Sequence, residues 1–190
     1  MKPILFNIEM VRAIMEGRKT VTRRVVKPQP PATSVVRKRG CTWDWSFWAD
    51  CDMGHIMKLP YHPGDILWVR ETWAKNPFGD GYIYPTEVPG AGQKWKPSIH
   101  MPREAARLFL RVTDVRVERL QDINLDPPGP KNQVVREGLR YLSDFIAVWD
   151  RTIKPADLHL YGWDANPWIQ VIEFERISKD EALGGGEDGN

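Results

Sequence analysis

The chain has 190 residues, 42% of them apolar and 27% charged, with a formal net charge of +2. That is an ordinary globular balance, long enough for one domain with a buried core, and no apolar run nears the ~18 residues that a membrane span needs. The charge is uneven: residues 1–40 hold ten Lys or Arg against two acids, +8, so the remainder carries −6.

A basic front end suits an anionic partner such as nucleic acid or a phosphorylated nucleoside, and it can equally coat a solvated face. The first ten residues, "MKPILFNIEM", hold no signal-length apolar region and no small-residue cleavage site, which predicts a cytoplasmic location. Cys41 and Cys51 do not make a disulfide framework.

In chain order, "NIEMVRAIMEG" predicts a short helix. Asn7 is its N-cap, Val11, Ile14 and Met15 share a face, and Gly17 is the stop. "TVTRRVV" alternates like a strand. Residues 28–59 form an insertion, opened by the stiff "KPQPP" and continued by the aromatic "CTWDWSFWADCDMGH", best read as a hairpin. Within it Trp43 and Trp45 share a strand face, where they either pack as core or stack on bases. Cys41, Cys51, His55 and His62 do not have the paired spacing of a zinc module, so no metal is expected.

After the Pro63-Gly64 turn, Ile66, Trp68 and Arg70 alternate with Leu67, Val69 and Glu71 along a strand. Residues 75–98 read as a long loop. "ARLFLRVTDVRVERL" is a long strand, or two strands broken by a kink near Thr113-Asp114. Leu142, Phe145, Ile146 and Trp149 have the spacing of an amphipathic helix, "WIQVIEFERI" is a last strand, and residues 178–190 read as a disordered polar tail. Strands outnumber helices without alternating with them. The fold class is therefore α+β: a small, mostly antiparallel sheet curled into a barrel, with flanking helices and a Trp-rich insertion, as one domain over 1–177.

The basic block "GRKTVTRR" carries the chemistry. A threonine hydroxyl becomes a nucleophile when a base takes its proton, and a neutral lysine amine is such a base. Lys19 and Thr22 are three apart, which in a straight strand places them on opposite faces. They converge only if the chain bends after Gly17. Keeping a lysine neutral at pH 7 costs roughly 4–5 kcal/mol at 1.36 kcal/mol per pH unit. Burial and the cations Arg18, Arg23 and Arg24 favour that state, and a neighbouring carboxylate opposes it.

"EGRKTVTRR" after an N-terminal helix, "PGDILWVRETW", "REGL" before a helix and "NPWIQVIEFERI" together resemble the ASCH domain, a family of the PUA-like superfamily of small β-barrels. The resemblance spans most of residues 3–177. The long form, with its Trp-rich insertion and "WDANPW", is similar to the ASCH proteins of phages and prophages. It implies a cleft for a nucleoside or RNA and, as in small bacterial members, an amidohydrolase that deacylates N4-acetylcytidine with no cofactor. Lys19, Thr22 and Glu137 take the catalytic positions. Arg23, Arg70, Glu71 and Trp168 are candidate substrate contacts, with Glu71 the second choice of carboxylate. Either Lys19 activates Thr22 for attack while Glu137 moves protons, or Thr22 and Glu137 hold an attacking water. A non-catalytic RNA- or nucleic-acid-binding module is the alternative function.

Overall fold

In the computed structural model, the described residues are 1–31, 35–38, 45–48, 55–88, 93–123, 125, 129 and 131–184. The chain opens with strand β1 (Lys2–Leu5), then helix α1 (Ile8–Met15) and strand β2 (Val21–Val25). Asn7 caps α1 by accepting from Met10 N at 2.8 Å, and Gly17 turns the chain out at φ 72°. Strands β3 (Val35–Lys38), β4 (Trp45–Trp48) and β5 (His55–Met57) form a three-stranded antiparallel sheet in the insertion. Trp45 packs partly buried against the main core; Trp43, Cys41 and Cys51 lie outside the described residues.

Strand β6 (Ile66–Arg70) follows, then a small hairpin of β7 (Ala74–Lys75) and β8 (Tyr82–Ile83), where a loop was expected. The 11-residue β9 (Phe109–Arg119) leads to the one-turn helix α2 (Gln133–Arg136), α3 (Leu142–Thr152) and the short α4 (Leu158–Tyr161). Strand β10 (Trp168–Ile177) and helix α5 (Lys179–Ala182) close the described chain. The start of the expected tail is thus ordered: Ser178 caps α5 and Ala182 packs into the core.

The main sheet is mixed, in the order β1-β6-β9-β10-β2. Only β1 and β6 run parallel; the other neighbours are antiparallel. Among the described residues no backbone ladder joins β1 to β2, so the sheet has two edges and is not closed by hydrogen bonds into the expected barrel. The expected kink in β9 is a bulge: Glu173 pairs with Asp114 and Phe174 with Val112, leaving Thr113 unpaired. The extra residue shifts parity, so Val115 and Val117 stay on the face of Leu110 and Val112.

Both faces of β10 are covered. Ile172 and Phe174 pack with Ile4, Phe6, Val11 and Ile14 of β1 and α1. Ile169 and Val171 pack on the opposite side with Val134, Phe145 and Trp149 of α2 and α3. A third cluster, around Trp73, Tyr84, Met101 and Phe109, lies toward the other end of the sheet.

Helix α2 is too short to hold its own position. It is held by contact: Gly138, just past it, has φ 85°, and a Cβ there would meet the Ala13 Cβ of α1 at 2.8 Å. Gly138→Ala should therefore destabilise the fold by about 2 kcal/mol, a fall in Tm of roughly 4–8 °C for a chain of this size. An unchanged thermal melt would show that the end of α2 does not press on α1.

Candidate active site

Beyond α1 the chain folds back tightly. Arg18 N and Lys19 N both donate to Ala13 O, at 2.8 and 3.0 Å, and this turn points Lys19 toward the end of α2. Lys19 pairs there with Glu137 in an isolated antiparallel bridge, and Thr20 N donates to Arg136 O at 2.9 Å. Asn132 caps α2 by accepting from Val134 N and Val135 N, and Glu137 is its C-cap residue. Two short segments far apart in sequence thus bring a lysine and a glutamate together in the interior.

The Lys19 side chain has no exposed surface, and that of Glu137 is 5% exposed. Lys19 Nζ donates to Glu137 Oε2 in a very short contact, to Val21 O at 2.8 Å and to Glu137 O at 3.1 Å. Three acceptors match the three donors of an ammonium group. On the other carboxylate oxygen, Arg23 Nη1 donates to Glu137 Oε1 at 2.9 Å. Arg23 Nη2 in turn donates to Gln133 Oε1 and, at 3.4 Å, to Glu118 Oε1.

Burial pushes the Lys19 pKa down, Glu137 opposes it, and Arg24 and Arg23 add to the lowering; the result is below the ordinary lysine value. For Glu137, burial works to raise the pKa, but the charges of Lys19 and Arg23 and their hydrogen bonds outweigh it, so the carboxyl lies below its ordinary value. The three acceptors around Lys19 Nζ and the carboxylate among them suit an ammonium facing a carboxylate.

No hydrogen bond links Lys19 Nζ to Thr22 Oγ1 among the described residues, because the three N–H groups of Lys19 are already engaged. Thr22 is served instead by Arg24, whose Nη1 donates to Thr22 Oγ1 at 2.9 Å. Arg24 also donates to Arg23 O at 2.9 Å and to Leu5 O at 3.0 Å, bridging the two sheet edges. Its guanidinium lies 5.3 Å from the Phe6 ring centroid.

A cavity of about 610 Å3 fills the space between these edges. Leu5 and Phe6 line it from β1, and Thr22, Arg23 and Arg24 from β2. Glu137 lines it from the end of α2, Phe145 and Trp149 form the α3 wall, and Lys19, paired with Glu137, is not part of the lining. The volume suits a small-molecule ligand, and the lining mixes apolar walls with polar and charged groups.

Of the expected substrate contacts, only Arg23 is here. Glu71 is held elsewhere by a two-pronged pairing with Arg107, Nε to Oε1 and Nη2 to Oε2, both at 2.8 Å. That pair stands beside Tyr84, whose pKa burial and Glu71 push up to about 12. Arg70 donates to Ile99 O and lies over the Trp68 ring at 5.5 Å. Trp168 packs against the main core under the Arg119 guanidinium, 4.4 Å from its ring. The sequence reading missed Arg24 as a partner of Thr22. Two apart on an extended strand, they share a face, and that spacing was visible. No group of His, Cys, Asp and Glu able to hold a metal occurs among the described residues.

Compared with known protein families, curated proteins and solved structures, the chain matches none.

Variants at Lys19, Glu137 and Glu71 separate the roles of the two acids. Lys19→Met strands the buried Glu137 carboxylate and should cost roughly 3–5 kcal/mol. The double variant with Glu137→Gln should lose clearly less than the two single losses combined, because the cations and the acid depend on one another. Additive losses in denaturant melts would mean that the pair is not coupled. Glu71→Gln should lower stability by about 1–3 kcal/mol through its contacts with Arg107 and leave ligand binding in the cavity intact, as calorimetry would report.

Proposed function

We propose that this chain is a metal-independent amidohydrolase that removes the acyl group from N4-acylcytosine or N4-acylcytidine, on a PUA-like curl of the ASCH type. One observation carries the reading: Glu137, its carboxylate paired with Lys19 and Arg23, lines the same cavity as Thr22. The Arg24 bridge from β2 to Leu5 O supports the curl, since it brings the edge strands to one cavity.

The geometry favours an activated water over a threonine nucleophile. Lys19 Nζ is turned to Val21 O, Glu137 O and Glu137 Oε2 and makes no bond to Thr22 among the described residues, so it is not placed to take the Thr22 proton. Glu137 has about four acceptor sites, of which Lys19 and Arg23 use two, leaving room for a water. In the proposed step Glu137 takes one proton from that water as its oxygen attacks the acyl carbon. The developing oxyanion is met by the Arg24 guanidinium and the Thr22 hydroxyl. Collapse breaks the C–N4 bond, and the proton held by Glu137 passes to the departing amine. The products are a carboxylic acid and cytosine or cytidine. Phe6, Phe145 and Trp149 give the ring apolar walls.

Incubation with N4-acetylcytidine should release cytidine. Glu137→Gln should lower kcat by about 10²–10⁴-fold, the usual size of a general-base contribution. The reaction needs Glu137 ionised, so activity should fall only as pH drops through a pKa lying below the ordinary ~4.3 of glutamate. On the alkaline side it should fall as Lys19 loses its proton, below the ordinary ~10.4 of lysine. No cytidine from pure wild type, or full turnover by Glu137→Gln, would reject the reading. Retention of RNA at ~50 mM salt without turnover would favour a binding module instead.

A further inference from the structure

The cavity wall carries three cations, Arg23, Arg24 and Lys27, against one carboxylate, Glu137. Arg23 is matched by Glu137 and Glu118, and Lys19 also leans on Glu137. Arg24 and Lys27 have no carboxylate within ion-pair distance among the described residues, so the hollow has an excess of positive charge between low-dielectric walls. Arg24 already gives three of its five donors to Thr22, Arg23 O and Leu5 O. Lys27 differs: it is exposed, and its ammonium rests 4.4 Å from the Tyr161 ring centroid with no acceptor of its own among the described residues.

Tyr161 fixes that cation relative to the cavity. Its carbonyl accepts from Trp149 Nε1 at 2.8 Å, and Trp149 is part of the cavity wall. Lys27 follows Thr22 by five residues, two past the end of β2 and in a bend. At ~3.3 Å per residue their Cα atoms are at most about 16 Å apart. A separation within that limit is of the order spanned by a nucleotide from ring amine to sugar phosphate.

We propose that Lys27 receives a phosphate on the ligand, so that the cavity takes a nucleoside monophosphate in preference to the free nucleoside. The identity of the base rests on the amidohydrolase reading above; the demand for an anionic group at Lys27 does not. An ammonium over a phenol ring is held in place yet keeps its donors for a phosphate. A neutral nucleoside would leave that charge unanswered.

Calorimetric titration of the full chain with 5′-CMP and with cytidine tests this. Wild type should bind 5′-CMP roughly ten- to a hundredfold more tightly, the range of a charge-assisted contact. Lys27→Met should bring the ratio close to one, while Lys27→Arg should keep most of it. Raising salt from ~50 to ~200 mM should reduce the ratio in wild type. Equal affinities in wild type, or an unchanged ratio in Lys27→Met, would overturn the proposal. Oligocytidylate separates the sources of phosphate: a Lys27-dependent gain over 5′-CMP assigns the contact to a strand and overturns the mononucleotide preference, whereas equal or weaker binding supports it. If N4-acetylcytidine and its 5′-monophosphate are both left intact while the Lys27-dependent preference persists, the hydrolase reading fails and the phosphate site stands.

Discussion

Lys19 and Glu137 meet across 118 residues of sequence, and their junction determines where the start of β2 and the end of α2 can lie. Taking both charges out of water is costly, and mutual attraction offsets this only when the remaining donors and acceptors are satisfied. Here they are: the ammonium has three acceptors, and the second carboxylate oxygen has the Arg23 guanidinium. A less complete arrangement would be an expensive way to hold a one-turn helix. The backbone bridge between the same two residues and the close approach of Gly138 to α1 constrain the same point from two other directions.

Because the sheet is not closed by a ladder, its edges β1 and β2 are free to border a cavity. Edge strands normally carry a risk of pairing with other chains. Here the β2 edge is occupied by charged and polar side chains turned to a purpose, and Arg24 reaches across to the carbonyl of Leu5 in place of a backbone hydrogen bond. The apolar faces of α3 cover the remaining side. Phe145 and Trp149 therefore serve two ends, filling the second core cluster and walling the cavity.

Much of the fold was legible because its signals are local. Asn7 and Gly17 bracket α1, the i, i+3, i+4 spacing marks α3, and the polar Thr113-Asp114 break in an apolar strand marks the bulge. What escaped has no local signal. Strand β1 is four residues with a proline, acceptable on an edge strand, and its partners are more than sixty residues away. Helix α2 is a single turn whose existence depends on its contacts. The site divides the same way. A basic Lys-Thr block is visible, but that the lysine would spend its donors on two carbonyls and a distant carboxylate, and not on Thr22, is a tertiary fact. Glu137 entered through a resemblance, since spacing says nothing about a bridge 118 residues long.

Around that bridge the charges alternate in sign. Lys19 meets Glu137, Glu137 meets Arg23, and Arg23 meets Glu118. Glu118 then meets Arg116 at 2.9 Å, Arg116 meets Glu173 at 2.5 Å, and Glu173 meets Arg136 at 2.7 Å. Arg136 is the residue before Glu137, so the chain of ions returns to where it began, by way of β9 and β10. Each member restricts its neighbours, and the loop fixes the direction of the Glu137 carboxylate more tightly than any single pair would. Such a frame suits a group that must be held ionised and aimed, with its remaining lone pairs facing a hollow. It suits a swinging side chain poorly, because moving one member disturbs its neighbours around the ring. The same reasoning makes Lys19 a positioning residue: its three hydrogen bonds hold the acid in place, and none of them reaches the Thr22 hydroxyl.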